Sequence, residues 1–240
     1  MVTVKLDQLL YGFKRNYSND DEIRFFGTCL ANLQLTRSQN FQDVWALYEN
    51  NFKPNGFFVE FGATNGIDGS NTFILEKMFN WNGILAEPNP NWHNDLYKNR
   101  TAKIVTDCVY NETGKIVEFI DAIDPNLSTI NGFGENDEHS IHRKDGNKIS
   151  VNTISLGDLL STAPKEIDYL SIDTEGSELT ILEKYFTNHA NEHNIRCITV
   201  EHNNDEELRT QIYILLAKYG YERKFTVFSR WDDFYILRNI

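Results

Sequence analysis

Phe57-Phe58-Val59-Glu60-Phe61-Gly62-Ala63-Thr64-Asn65-Gly66 decides the fold of this chain. Three phenylalanines and a valine around one acid make a short, β-prone apolar run, the pattern of a strand buried on both faces of a parallel sheet. The run stops at Gly62, and Gly66 follows four residues later. Glycines let the backbone turn sharply and approach a ligand closely. Ser70-Asn71-Thr72 then opens a helical stretch and offers capping oxygens and amides to an anionic group. The spacing is not G-x-G-x-x-G, because position 64 is Thr, and this weakens a dinucleotide reading. Taken alone, the motif also fits a tight strand-to-helix turn whose glycines serve geometry only.

Working outward, strands and helices alternate. Upstream, Ser38 is the expected N-cap of a helix with the stripe Phe41, Val44, Trp45 and Tyr48, broken by Lys53-Pro54-Asn55-Gly56. Downstream, helices are expected over 71–79, 91–99, 176–186 and 205–219, with another starting at 156–160. Strands are expected over 83–87, 103–109, 115–120, 151–154, 167–172 and 196–200. Residues 121–148 read as loop-rich, and 221–228 with 231–237 as a closing hairpin across Ser229-Arg230. Leu6, Leu9, Leu10 and Phe13 recur at helical spacing, so 1–37 reads as a short helical extension before a domain spanning 38–240. The alternation predicts an α/β fold: a mainly parallel sheet covered on both faces, with one antiparallel strand near an edge.

In such sheets ligands sit beyond the carboxyl ends of the strands. Glu87 ends the second strand, about 25 residues past Gly62, where an acid can accept both ribose hydroxyls. Asp173, Glu175 and Glu178 surround the turn after strand 167–172; carboxylates there can cap a helix, hold a metal or take a proton. Capping explains Glu178 as well as chemistry does, and Asp173 is the stronger functional candidate. Glu201-His202 ends another strand, where His202 reads evenly as a base, a metal ligand or part of a surface turn.

The 240 residues carry 23 Lys+Arg against 35 Asp+Glu, a net charge of −12. That charge argues against nucleic acid and anionic membranes as partners. No apolar run approaches the ~20 residues of a membrane span. The opening residues lack an apolar signal core, and Cys29, Cys108 and Cys197 lie far apart, so a reduced, cytoplasmic setting is expected.

Taken in order, VEFGATNGIDGSNTFILEK from Val59, GILAEPNP from Gly83, VNTISLGDLL from Val151, IDYLSIDTEGSELTIL from Ile167 and VEHN from Val200 resemble the FkbM-type S-adenosylmethionine-dependent methyltransferases. SQNFQDVW from Ser38 is similar to a segment that often precedes that domain. The resemblance spans about residues 38–237. It implies a class I, Rossmann-like methyltransferase fold with seven strands, one of them antiparallel. It implies further that Glu60, Gly62, Ala63 and Gly66 line the methionine portion of S-adenosylmethionine, with Asp173 nearby. Glu87, followed by Pro88, would hold the ribose; Asp107 and Cys108 would lie near the adenine; Gln39, Gln42, Ser70 and Asn71 would close over the cofactor. The family's usual chemistry is O-methylation, often of a sugar or other small-molecule hydroxyl. Asp173 is then the first candidate for base and His202 the second, while Asp173, Glu175 and Glu201 are candidate ligands of a divalent ion such as magnesium, whose use the sequence does not decide. Residues 121–150 match only through Leu127-Ser128-Thr129-Ile130, and acceptor choice is expected there. Two other readings stay open: a nicotinamide-dependent oxidoreductase on a similar sheet, and a non-catalytic module that holds a glycan or partner.

Overall fold

Continuous apolar runs become the centre of one sheet. In the computed structural model, which describes residues 20–133 and 140–238, β1 (Phe57–Phe61) pairs in parallel with β2 (Asn82–Ala86) on one side and β8 (Glu166–Ile172) on the other. β3 (Lys103–Val105) extends the β2 side, and β9 (Asn194–Glu201) extends the β8 side, all parallel. β11 (Asp232–Leu237) lies antiparallel between β9 and the edge strand β10 (Tyr221–Lys224). Among the described residues the order is β10-β11-β9-β8-β1-β2-β3, seven strands with β11 alone reversed. That is the class I methyltransferase arrangement the sequence predicts.

Alternate side chains of each strand enter two cores, as the two-residue period requires. On one face Val59, Ile84, Leu170 and Ile198 pack under α6 (Leu156–Leu160), α7 (Glu178–His189) and α8 (Glu206–Lys218). On the other, Phe58, Leu85, Tyr169 and Phe234 pack against α1 (Asp20–Ala31), α2 (Gln42–Glu49), α3 (Phe73–Phe79) and α4 (Pro90–Asn99). Trp45 is fully buried there, edge-on to Phe234 at 5.2 Å. Aromatic pairs of this kind add about 0.5–1.5 kcal/mol beyond their buried area.

Several boundaries differ from expectation. The run 103–109 is two strands: β3 leaves the main sheet after Val105, and β4 (Cys108–Tyr110) joins a second sheet through β7 (Asn147–Ser155). That sheet, β4-β7-β5-β6 with β5 (Ile116–Asp121) and β6 (Thr129–Ile130), closes over Cys108, Phe119, Ile130 and Val151. The segment expected as loop therefore contains β6, a 3-10 turn at Pro125–Leu127 and α5 (Ser140–Arg143). The first turn of α2 is also different: Phe41 occupies the N-cap with φ 62°, while the Ser38 hydroxyl donates to Asp43 at 2.7 Å. In the closing hairpin, residues 225–231 form a wider connection, because Phe225 and Phe228 turn into the core and Phe225 stacks on Phe25 at 4.7 Å. The expected helix over Leu6–Phe13 lies outside the described residues.

Candidate active site

A cavity of 520 Å³ opens beyond the carboxyl ends of β1, β2, β8 and β9, roofed by the second sheet. Gly62 lines it with φ 70°, and a Cβ there would collide with the carbonyl oxygen of Asp173. Only glycine lets the β1 and β8 turns approach so closely.

Glu87 enters the cavity from the end of β2 and is 4% exposed. It accepts hydrogen bonds from the Thr64 and Asn89 backbone N–H groups, each at 2.8 Å. Burial pushes its carboxyl up to about 7 despite those two donors. A carboxylate has roughly four acceptor positions, so two remain for ligand hydroxyls. Pro88 and Cys108 line the same end with Val109, Phe119 and Ile130, an apolar surface suited to a flat ring. Burial, then the charge of Glu87, lifts the Cys108 thiol to about 12, so it is an inert apolar contact.

At the opposite end, Asp173, Glu175 and Glu201 present oxygens within 4.8 Å of one another. Burial raises both Asp173 and Glu201 well above the usual carboxylate range, and the neighbouring charge of Glu175 adds to it. Glu175 is held apart by Arg143, whose Nη2 donates to it at 2.6 Å, and by Asn203 at 3.1 Å. Trp231 lines the cavity beside Glu201. Glu178 braces the turn before its own helix, accepting from the Thr174 and Gly176 N–H groups rather than capping that helix.

Of the residues singled out in the sequence, Gln39, Gly62, Glu87, Pro88, Cys108, Asp173, Glu175 and Glu201 line this cavity. The others sit behind it. Glu60 is 2% exposed and accepts from Ser70 Oγ, Asn71 N and Thr72 Oγ1 at 3.1, 2.6 and 2.5 Å, so the start of α3 already holds its anion. Gly66 makes room for Arg100, whose Cγ would stand 2.6 Å from an added Cβ. Asn71 Nδ2 donates to Ser171, Gln42 Nε2 donates to Asp232 at 2.8 Å, Ala63 is in the core, and Asp107 lies half-buried between β3 and β4. His202 is 2% exposed, its two ring nitrogens have no partner among the described residues, and burial lowers its basicity. It is absent from the cavity lining. Sequence reasoning missed Arg37, Trp231, Asp124–Ser128 and Arg143. The Arg37 position, directly before the Ser38-Gln39 segment, was the one available signal.

A family model for the methyltransferase FkbM domain matches residues 60–223. This chain belongs to that family. The nicotinamide reading gives way with it, and the FkbM chain is an S-adenosylmethionine-dependent methyltransferase. Among solved structures, an FkbM methyltransferase from Methylobacillus flagellatus KT is 14% identical with TM-score 0.48, covering 97% of this chain and 58% of that one. A precorrin-6y C5,15-methyltransferase from Geobacter metallireducens GS-15 is 12% identical with TM-score 0.43, covering 85% and 89%. A methyltransferase from Pyrococcus furiosus is 13% identical with TM-score 0.42, covering 90% and 96%. No curated protein matched the sequence. Among the described residues no helix is long and apolar enough to cross a membrane.

The cavity of the FkbM domain fits the cofactor. Gly62 lets the turns after β1 and β8 meet at the cavity edge, and the buried Glu87 keeps acceptor capacity that no donor among the described residues uses. Glu87 would hold the ribose, the surface around Cys108 and Phe119 the adenine, and the Gly62–Thr64 turn the methionine portion. When bound, S-adenosylmethionine supplies a methyl group already activated by a positive sulfur, which the surrounding carboxylates favour electrostatically.

Proposed function

We propose that this chain is an O-methyltransferase that methylates a hydroxyl of a sugar or another small molecule. The observation that carries the reading is the Asp173–Glu201 pair, whose carboxylate oxygens lie within 4.8 Å of each other in the cavity beside the glycine turn. A hydroxyl must lose its proton as its oxygen attacks, and a carboxylate of raised basicity accepts it more readily. Asp173 takes that proton, which stays in the Asp173–Glu201 pair. Holding the acceptor in line supplies much of the remaining acceleration, since orientation is worth roughly 7–11 kcal/mol. His202 has no part in this step, because its ring is buried away from the cavity.

A carbohydrate suits the acceptor end. Trp231 offers an apolar face, and Glu201, Asp173 and Asn126 line the same cavity as hydrogen-bonding groups for hydroxyls. The net charge of −12 weighs against nucleic acid and anionic membranes as acceptors, and a cytoplasmic setting suits the three free, buried cysteines. The reading needs no metal, and Glu175, one of the three clustered acids, is already paired with Arg143. Incubation with methyl-labelled S-adenosylmethionine and a panel of mono- and oligosaccharides tests it. Label in an alkali-stable methyl ether supports the proposal. Cofactor binding without transfer to any hydroxyl compound favours the non-catalytic module.

A further inference from the structure

The glycine turn does not hold an anion with its own amides. The N–H groups of Gly62 and Ala63 donate to Ala86 O at 3.1 and 3.3 Å, and that of Thr64 goes to Glu87. Gly66 N donates to Ala63 O, while Ile67 and Asp68 N donate to the Asn65 side chain. Asn71 N goes to Glu60, and Thr72 and Phe73 N go to Ser70 Oγ. These donors are consumed inside the protein and are not offered to an anion.

The cavity is otherwise strongly acidic. Asp68, Glu87, Asp124, Asp173, Glu175 and Glu201 line it, and Arg37 is the one Lys, Arg or His side chain lining it among the described residues. Arg37 is placed deliberately by its backbone: its N–H donates to the fully buried Asp43 at 2.8 Å, and the next residue, Ser38, bridges to Gly69 at the end of the glycine turn. Its guanidinium lies 5.8 Å from the ring centroid of Phe73, the first residue of α3. No hydrogen bond or ion pair to that guanidinium is present among the described residues. The cation thus stands, uncommitted, at the end of the cavity where the turn after β1 receives the amino-acid portion of the cofactor.

We infer that Arg37 binds the α-carboxylate of the cofactor's methionine portion. A carboxylate entering a cavity lined by six acids is repelled unless a cation meets it, and a guanidinium fork matches its two oxygens. This inference rests on the methyltransferase reading of the same cavity.

Titration calorimetry with S-adenosylhomocysteine and with 5′-methylthioadenosine separates the two. The second compound keeps adenine, ribose and sulfur but lacks the carboxylate. Arg37→Gln should weaken S-adenosylhomocysteine about tenfold, the worth of an exposed charge-assisted contact, and leave 5′-methylthioadenosine within twofold of wild type. The unchanged binding of 5′-methylthioadenosine also shows that the variant is folded. Unchanged affinity for S-adenosylhomocysteine, or equal weakening of both compounds, overturns the role of Arg37 while leaving the methyltransferase reading intact. Binding of neither compound by the wild type overturns both.

Discussion

Glu76 and Glu87 are both buried glutamates on the two sides of the glycine turn, yet their acidities lie far apart. Burial alone would raise Glu76, but Arg100 donates to it through Nε at 2.8 Å, and Lys77 and the Thr101 N–H add to that; it falls to about 2. Glu87 has two backbone donors and no cation, and burial lifts it to about 7. Arg100 itself is 3% exposed and also reaches Gly66 O, Ser70, Thr72 and, at 3.7 Å, Glu60. Behind the turn, acids are neutralised and fully bonded, which builds the turn. In front of it, Glu87, Asp173 and Glu201 have no cation paired with them among the described residues, which stores acceptor capacity for something that is not protein.

The largest effect should come from the front. Asp173→Asn should lower the rate of methyl transfer about 10²–10⁴-fold with S-adenosylhomocysteine affinity near wild type, as single-turnover kinetics and calorimetry would show. If transfer survives, Asp173 is a lining residue only. Next is the back: Arg100→Met leaves Glu60 buried without its cation and Glu76 with Lys77 alone, and should cost about 3–5 kcal/mol in urea denaturation. A loss below ~1 kcal/mol would mean the two sides of the turn are not as different as their bonding implies.

Titration sharpens the same contrast. Glu87 has its native pKa raised, so its contribution is fully present below about 4.5 and is lost as pH rises through about 7. Glu76 has it lowered, so its contribution is present above about 4.5 and is lost as pH falls toward about 2. Each swing is worth about 3 kcal/mol. Glu87→Gln should flatten the fall in stability between pH 4.5 and 7 and weaken S-adenosylhomocysteine by about 1.5–3 kcal/mol. Glu76→Gln should instead flatten the acid limb. The smallest effect is none: chelator treatment should leave methyl transfer unchanged, and a loss restored by magnesium would return Asp173, Glu175 and Glu201 to the role of ligands.

What could be read from the sequence follows the same division. The strands β1, β2, β8 and β9 are legible because a strand buried on both faces must be apolar throughout. Of the second sheet, 115–120 and 151–154 are legible as strands, but the first half of β7 is not, because it keeps Asn147, Lys148 and Ser150 on exposed positions and is recruited by pairing with β5. The site shows a parallel limit. Strand ends point to Glu60, Glu87, Asp173 and Glu201 alike, but one-residue alternation decides which side each serves, and only the fold reveals that Glu60 faces Arg100. Arg100 and Arg143 had no local signal, since their acidic partners lie 24 and 40 residues away for Arg100 and 32 away for Arg143.

Arg143 has a consequence for how this enzyme can change. It comes from the segment between β6 and β7, where acceptor choice was expected, and it donates also to Leu127 O at 2.6 Å. Through Glu175 it bolts that segment to the turn that carries Asp173. On the proposed reading, the segment that would choose the acceptor is therefore not a cassette that can be exchanged freely. A graft of a foreign 121–150 segment that lacks this arginine would leave a third unshielded acid beside the reacting pair, so new substrates are best reached by changing the segment around a retained Arg143.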